Sequence, residues 1–187
     1  MAVSVLDPQT ALIVIDLQQG IVAYPAAHPI DGVIQNAVAL IEAFRRKELP
    51  VVLVNVDGAP GGRTEQSRAP RTFPDGWSAL IPELNVQPGD HLVTKRARGA
   101  FTHTDLEAYL RAKGATQVVI VGVSTTAGVE STARQAFDLG FNVTLAVDAM
   151  TDSDPDAHHN SITRIFPRLA ETGPTAAIIT LLEQHEG

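Results

Sequence analysis

Two ionisable residues and one hydroxyl-rich turn follow apolar runs in this chain, and together they bound the chemistry it can attempt. Asp16 stands directly behind "ALIVI", where ionisation is costly unless a cation is near. Lys95, behind "HLVT", can be that cation. Such a pair shifts both pKa values and is a candidate acid/base couple; the spacing serves a structural ion pair equally well. The third feature is "GVSTTAG" at 122–128, which leads from a buried strand into a helix. Backbone N–H groups at a helix N-terminus can seat an anion or a developing oxyanion, and Ser124 and Thr125 add hydroxyls. Gly128 opens the way into the helix. The turn lacks the closing glycine of Gly-x-Ser-x-Gly, so a serine-triad hydrolase is a poor fit. It also lacks the spaced glycines of a dinucleotide fingerprint and the Gly-Lys-Ser/Thr of a phosphate loop.

The remaining polar candidates are weaker. Asp148 closes an apolar run, where a carboxylate more often caps a turn than reacts. His158 and His159 are adjacent and point to different helix faces, which favours packing or surface roles over the i, i+4 arrangement of a metal pair. His28 and His103 lie in polar loops without a partner motif. Gln18, Trp77 and Phe101 flank the proposed crevice and join Ser124, Thr125 and Gly128 as substrate-binding or oxyanion candidates. Plain packing is the commoner role for the two aromatics, although both can wall a small apolar pocket.

These residues depend on strands to present them. Short apolar runs alternate with amphipathic stretches from end to end, the signature of an α/β fold whose parallel sheet is buried on both faces. Strands are expected at 10–18, 51–57, 91–96, 117–123 and 142–150, the fourth being the most uniformly apolar and therefore central. Helices are expected at 32–48, where Val33, Ala37, Leu40, Ile41 and Phe44 recur at helical spacing, at 102–114 begun by Thr104, at 127–140, and at 154–170, where Pro167 must kink or end it. The tail "TAAIITLLEQ" fits a strand or a helix. Residues 57–90 break the rhythm: rich in Pro and Gly and without a convincing strand, they form a long loop of the kind that covers a binding site. In such sheets ligands bind outside the carboxyl ends of the strands, which is where Asp16, Lys95 and Ser124–Thr125 fall.

Composition removes other classes. A chain of 187 residues that is 44% hydrophobic suits one domain, 1–187, with one full core. A formal charge of −7 argues against nucleic acid as a partner. No apolar run approaches the ~20 residues that span a bilayer, and the N-terminus does not read as a signal peptide. With no cysteine there is no disulfide framework and no thiolate metal site, and a cytoplasmic location is expected.

The chain resembles the isochorismatase-like hydrolase family, which includes the cysteine hydrolases, through five blocks in family order: "ALIVIDLQQG", "VVLVNVDGAPGGRTE", "LVTKRARGAFTHTDLEAYLRAKG", "VVIVGVSTTAGVESTARQAFDLGFNVTLAVDAM" and "HNSITRIFPRLA". The resemblance implies a three-layer α/β/α sandwich and a catalytic Asp, Lys and Cys at the ends of strands one, three and four. Asp16 and Lys95 match the first two; Gly128 stands at the cysteine position. It further implies a cis peptide at Val123–Ser124 and a homo-oligomer, a dimer or larger. The Asp-x-His of metal-binding members is absent, because Asp57 is followed by Gly58 and Ala59, so no metal or other cofactor carries over.

Loss of the thiol removes the thioester route. Isochorismatases proper resemble this chain in having glycine there, and they cleave a vinyl ether without a covalent enzyme intermediate. On that pattern Asp16 is the general acid and Lys95 its electrostatic partner. The turn "STTAG" departs from the aromatic- and histidine-containing turn of isochorismatases. No arginine can be assigned to substrate carboxylates, although Arg63, Arg68, Arg71, Arg96 and Arg98 are available. Three readings follow: a cofactor-free hydrolase of a small molecule, a catalytically inactive binding or scaffold protein, and an amidase using Ser124 or Thr125 as substitute nucleophile.

Overall fold

The apolar runs pair as one sheet of six parallel strands: β1 (Thr10–Ile15), β2 (Val51–Val56), β3 (His91–Lys95), β4 (Gln117–Val123), β5 (Asn142–Thr151) and β6 (Glu171–Gly173), in the spatial order β3-β2-β1-β4-β5-β6. The computed structural model describes residues 3–65 and 73–184. The two innermost strands, β1 and β4, are buried at every position. Alternate residues of each strand feed two cores. Ala11, Ile13 and Ile15 join Val118 and Ile120 on one face, and Leu12 and Val14 join Val119 and Val121 on the other.

Helices cover both faces, giving the three layers. Over the second face lie α2 (Ile30–Arg46), through Ala37, Leu40, Ile41 and Phe44, and α6 (Thr175–Gln184), through Ile178 and Leu182. Burying each large apolar side chain of this set stabilises by ~1.5–3 kcal/mol. Over the first face lie α3 (Leu106–Ala112) and α4 (Glu130–Asp138), together with α5 (Pro155–Asn160) and the turns after it, which bring Phe166 and Leu169 into that core. A single turn, α1 (Gln19–Val22), follows β1. Gly114 and Gly140 end α3 and α4 at φ +69° and +81°, the left-handed geometry a glycine stop supplies.

Several expectations change in detail. Thr104 does not begin α3: its hydroxyl donates to the Ala100 carbonyl at 2.6 Å, and the helix starts two residues later. The helix expected over 154–170 begins as anticipated at Pro155, capped by the Asp154 carboxylate, then loosens into a π-turn at Ser161–Ile165 and a 3₁₀ turn at Phe166–Arg168. Pro167 lacks the N–H that an α-helix needs there. The ambiguous tail is a helix, and the short β6 was not legible. Strand β5 runs past Asp148 to Thr151, so Asp148 is not its end. The pairing of β4 with β5 shifts register: β5 covers five steps from Leu145 to Met150 while β4 covers two from Ile120 to Gly122.

Asp148 does cap, as its type suggests, but at a distance in sequence. Its Oδ1 accepts from the Thr175 N–H at 2.7 Å and from the Thr175 hydroxyl at 2.8 Å, at the start of α6. Asp148→Ala is therefore expected to cost about 1 kcal/mol, read as a fall of ~2–4 °C in Tm. An unchanged thermal midpoint would remove the cap from the stability account.

Within 57–90, the described residues form no strand beyond the bridge of Leu80 to Gln18, and one 3₁₀ turn at Pro82–Leu84. Ile81 and Leu84 are core residues on the α2 side, so the end of this loop is anchored. Residues 66–72, with Arg68 and Arg71, lie outside the described residues. Among the described residues no helix is long and apolar enough to cross a membrane.

Candidate active site

Strand order reverses between β1 and β4, and the crevice of such a sheet opens at the carboxyl ends of that pair. Asp16 leaves β1 there at φ 50°, a left-handed conformation uncommon for a residue with a Cβ and concentrated at functional sites. Its backbone is fixed on both sides: its N–H donates to the Val54 carbonyl at 2.9 Å, and its carbonyl accepts from Gln18 at 2.8 Å.

The side chain meets Lys95 as the spacing allowed. Lys95 Nζ donates to Asp16 Oδ2 at 2.7 Å and to the Ala97 carbonyl at 3.2 Å. The ammonium is 2% exposed and the aspartate 5%. Asp16 Oδ1 is buried and has no hydrogen-bond partner. Burial raises the Asp16 pKa from 3.8 to about 6, against the opposing charge and hydrogen bond of Lys95. Desolvation outweighs the ion pair, which leaves a carboxyl group that exchanges a proton near neutrality and has one oxygen uncommitted.

Gly128 lies against the same carboxylate. A Cβ there would stand 2.7 Å from Ile15 Cγ2, 3.2 Å from Asp16 Oδ2 and 3.3 Å from the Val123 carbonyl, so only glycine fits without displacement. The Gly128 carbonyl accepts from the Thr132 hydroxyl at 2.7 Å, and the Thr132 oxygen accepts from the Ala100 N–H at 3.1 Å. One buried threonine thus ties the turn after β4 to the chain that leaves Lys95.

Several N–H groups of the turn are committed within the chain. The peptide Val123–Ser124 is cis, as the resemblance implied, and Thr125–Val129 form a π-turn that runs into α4. The N–H groups of Ala127 and Val129 both donate to the Ser124 carbonyl at 3.1 Å. The Thr126 N–H donates at 2.8 Å to Asp152, whose Oδ2 also accepts the Thr126 hydroxyl at 2.7 Å. The chain's own carboxylate occupies the helix N-terminus. Burial pushes Asp152 up, but the bonds from Thr126, Ser153 and Asp154 together hold its carboxyl below the usual range.

Asp152 was not anticipated, nor were the contacts that the histidines make. Thr125 Oγ1 lies 2.8 Å from His158 Nδ1 in a buried contact. The ring of His28 packs on His158, with centroids 4.6 Å apart, and His28 Nδ1 lies 3.0 Å from Thr151 Oγ1. The Ala27 N–H donates to the Asp152 carbonyl at 2.7 Å, so the segment ahead of α2 is pinned over the end of β5. Burial, then the neighbouring His28, depresses the His158 pKa, while Asp152 opposes the shift. His159 is exposed, as expected of a surface residue. The run Asp152-Ser-Asp-Pro155 was the available signal for a carboxylate that turns back on backbone, but nothing in sequence joins His28 to His158.

The other candidates separate. The Gln18 amide is committed to backbone: Nε2 donates to the carbonyls of Val56 and Trp77, and Oε1 accepts from Val56 N–H at 2.7 Å. It braces β1, β2 and the returning loop. Trp77 stacks on Phe73 with centroids 4.0 Å apart, lies on the Cα of Gly20, and keeps its Nε1 buried without a partner. Phe101 packs at the edge of the core beneath α3 and α4. Its N–H donates to Gln135, two turns along α4 from Gly128, and its ring faces Phe141 ahead of β5. Ser124 contributes its carbonyl to the turn. Arg63 and Arg98 are exposed, and Arg96 pairs with Asp57 at 3.4 Å in solvent. Among the described residues no three His, Asp or Glu side chains converge as a metal cage.

A family description, the isochorismatase domain, matches residues 10–177. The chain is similar to the uncharacterized isochorismatase family protein YwoC of Bacillus subtilis (strain 168), 39% identical over 177 residues that make up 89% of this chain and 90% of that one. It is 34% identical over 169 residues to the streptothricin hydrolase of Streptomyces noursei, covering 89% of this chain and 55% of the relative. Among solved structures it resembles an isochorismatase family protein from Burkholderia thailandensis, with a TM-score of 0.91 and 38% identity over 96% of this chain and 98% of that one.

Proposed function

Because the chain belongs to the isochorismatase family of hydrolases, we propose that it hydrolyses a small molecule with Asp16 as general acid, Lys95 as its electrostatic partner and no covalent enzyme intermediate. One observation carries this reading: a carboxyl group pushed to about 6 keeps Oδ1 buried without a partner while Oδ2 is held by Lys95. A substrate atom is the natural partner for that oxygen.

The chemistry that suits it is cleavage of an enol ether. Protonated Asp16 delivers its proton to the enol-ether carbon, and the electron pair of the C=C bond forms the new C–H bond. The resulting oxocarbenium ion takes up water, and the hemiketal, after losing a proton, collapses to a carbonyl compound and an alcohol. Asp16 is left as carboxylate, and Lys95 stabilises that charge at 2.7 Å. Gly128 supports the reading because it offers neither a nucleophile nor a side chain between the carboxyl group and a ligand. The loop of residues 57–90, anchored by Trp77, Leu80 and Leu84, would cover the crevice. A homo-oligomer and a cytoplasmic setting accompany the proposal.

A second reading, amide hydrolysis through Thr125, is favoured by its contact with His158 Nδ1. Thr125 is wholly buried, however, so substrate would reach it only after the turn opens. A panel of enol ethers, esters and amides followed by rapid quench and intact mass separates the two. Turnover without an adduct supports Asp16; an acyl group on the peptide holding Ser124 and Thr125 supports the second reading. Turnover no greater than that of an Asp16→Asn protein across the panel would favour a binding or scaffold role.

Lys95 offers a further check of sign. Its charge lowers the Asp16 pKa, so Lys95→Met should raise it. The alkaline limb of the rate profile should move above pH 6 while the maximal rate falls, since the carboxylate formed on proton transfer loses its counter-charge. A limb that stays in place or moves to lower pH would separate Lys95 from the titration of Asp16.

A further inference from the structure

We propose that His158 is a positioning residue for Asp16: through Thr125 it holds the π-turn that presses Gly128 against the Asp16 carboxyl group. The functional meaning rests on Asp16 as the acid of the reaction, but the structural coupling can be measured without any substrate.

The π-turn is an irregular element, of a kind that recurs at functional sites. Here its two consecutive hydroxyl residues are gripped from outside, Thr126 by Asp152 and Thr125 by His158. Both grips come from the β5–α5 side of the crevice, across β4 from Asp16. Gly128 follows three residues after Thr125, and the space where its Cβ would lie is 3.2 Å from Asp16 Oδ2 and 2.7 Å from Ile15 Cγ2. Movement of the turn therefore changes the packing against Ile15 and the Asp16 carboxyl group.

The two grips differ in kind. Asp152 is a carboxylate held below the usual range by its hydrogen bonds, so its charge persists through the neutral pH range. His158 can titrate. The groups that face it are His28 from the segment ahead of α2, Asp152 beyond β5, and His159 on its own helix. Two of these oppose a positive charge and one favours it, and burial adds to the opposition. A base whose pKa is lowered in the held state contributes to holding above the ordinary histidine value, and that contribution is lost as pH falls through the lowered value. Doubly protonated His158 can only donate at Nδ1, so the Thr125 contact must reorient, and its charge faces His28 at ring contact distance. The turn loosens on the acid side. Where Asp16 must be protonated and His158 neutral, the rate profile has two limbs, the acid one set by His158.

The test is a carbon-13 titration of the Asp16 carboxyl group, assigned by its absence in Asp16→Asn, in wild type, His158→Asn and His158→Phe. Asn keeps a polar atom near the Nδ1 position and does not titrate, whereas Phe removes the bond. The wild type is expected to titrate near 6 and His158→Asn close to it. His158→Phe is expected to fall by about one unit as water reaches the group. A folded His158→Phe protein, with wild-type circular dichroism, whose Asp16 titrates as in wild type would overturn the proposal. If that variant does not fold, Thr125→Val breaks the same contact from the other side and is held to the same outcome. The general-acid reading fails separately, by full turnover in Asp16→Asn.

Discussion

Asp16→Asn should lower turnover by about 10²- to 10⁴-fold, the range that a positioned general acid supplies. Asn keeps the shape and one acceptor for Lys95 but has no acidic proton to deliver. The loss should hold at every pH, and the alkaline limb near pH 6 should vanish with it. Stability carries a second signature. A carboxyl group raised from 3.8 to about 6 favours folding fully below the lower value, and that contribution is lost as pH rises through the higher one. The wild type should therefore lose stability relative to the Asn variant between those values, read from denaturant midpoints across pH. Wild-type turnover in the Asn protein would remove Asp16 from the chemistry altogether.

Gly128→Ala should both destabilise the fold and reduce turnover. The added methyl would meet Ile15 Cγ2 at 2.7 Å, and Ile15 is wholly buried with a β-branched side chain that cannot swing aside. Overpacking of this kind costs ~1–3 kcal/mol. The Val123 carbonyl at 3.3 Å restricts retreat in the other direction. Whatever accommodation occurs must move the turn or Asp16, because the methyl also stands 3.2 Å from Oδ2. A denaturant series and a turnover assay decide it, and an Ala variant equal to wild type in both would show that the approach is not tight.

How much of this was legible in sequence depended on range. The strands declared themselves through β-branched runs, and Asp16 and Lys95 through their places at the ends of two of them. Gly128 stood out only through the resemblance, which puts it at the cysteine position. Interactions between distant segments were hidden: the contact of His158 with Thr125 spans 33 residues, and that of His28 with Thr151 spans 123. The turn after β4 was recognised as a helix N-terminus, yet the carboxylate that fills it comes from beyond β5. The run Asp152-Ser-Asp-Pro155 marked a carboxylate that turns back on backbone, but not that it reaches Thr126.

The register shift of β5 has a consequence for its two faces. In a regular strand, residues four apart share a face. Leu145 lies in the core beneath α3 and α4, whereas Ala149 lies in the core beneath α2 and α6. The strand has changed parity between them; Asp148, within β5, and Asp152, just past its end, serve helices on opposite sides of the sheet. The irregular stretch and the residue that follows the strand thus hold acids with two addresses, Asp148 closing the C-terminal helix and Asp152 fixing the turn after β4.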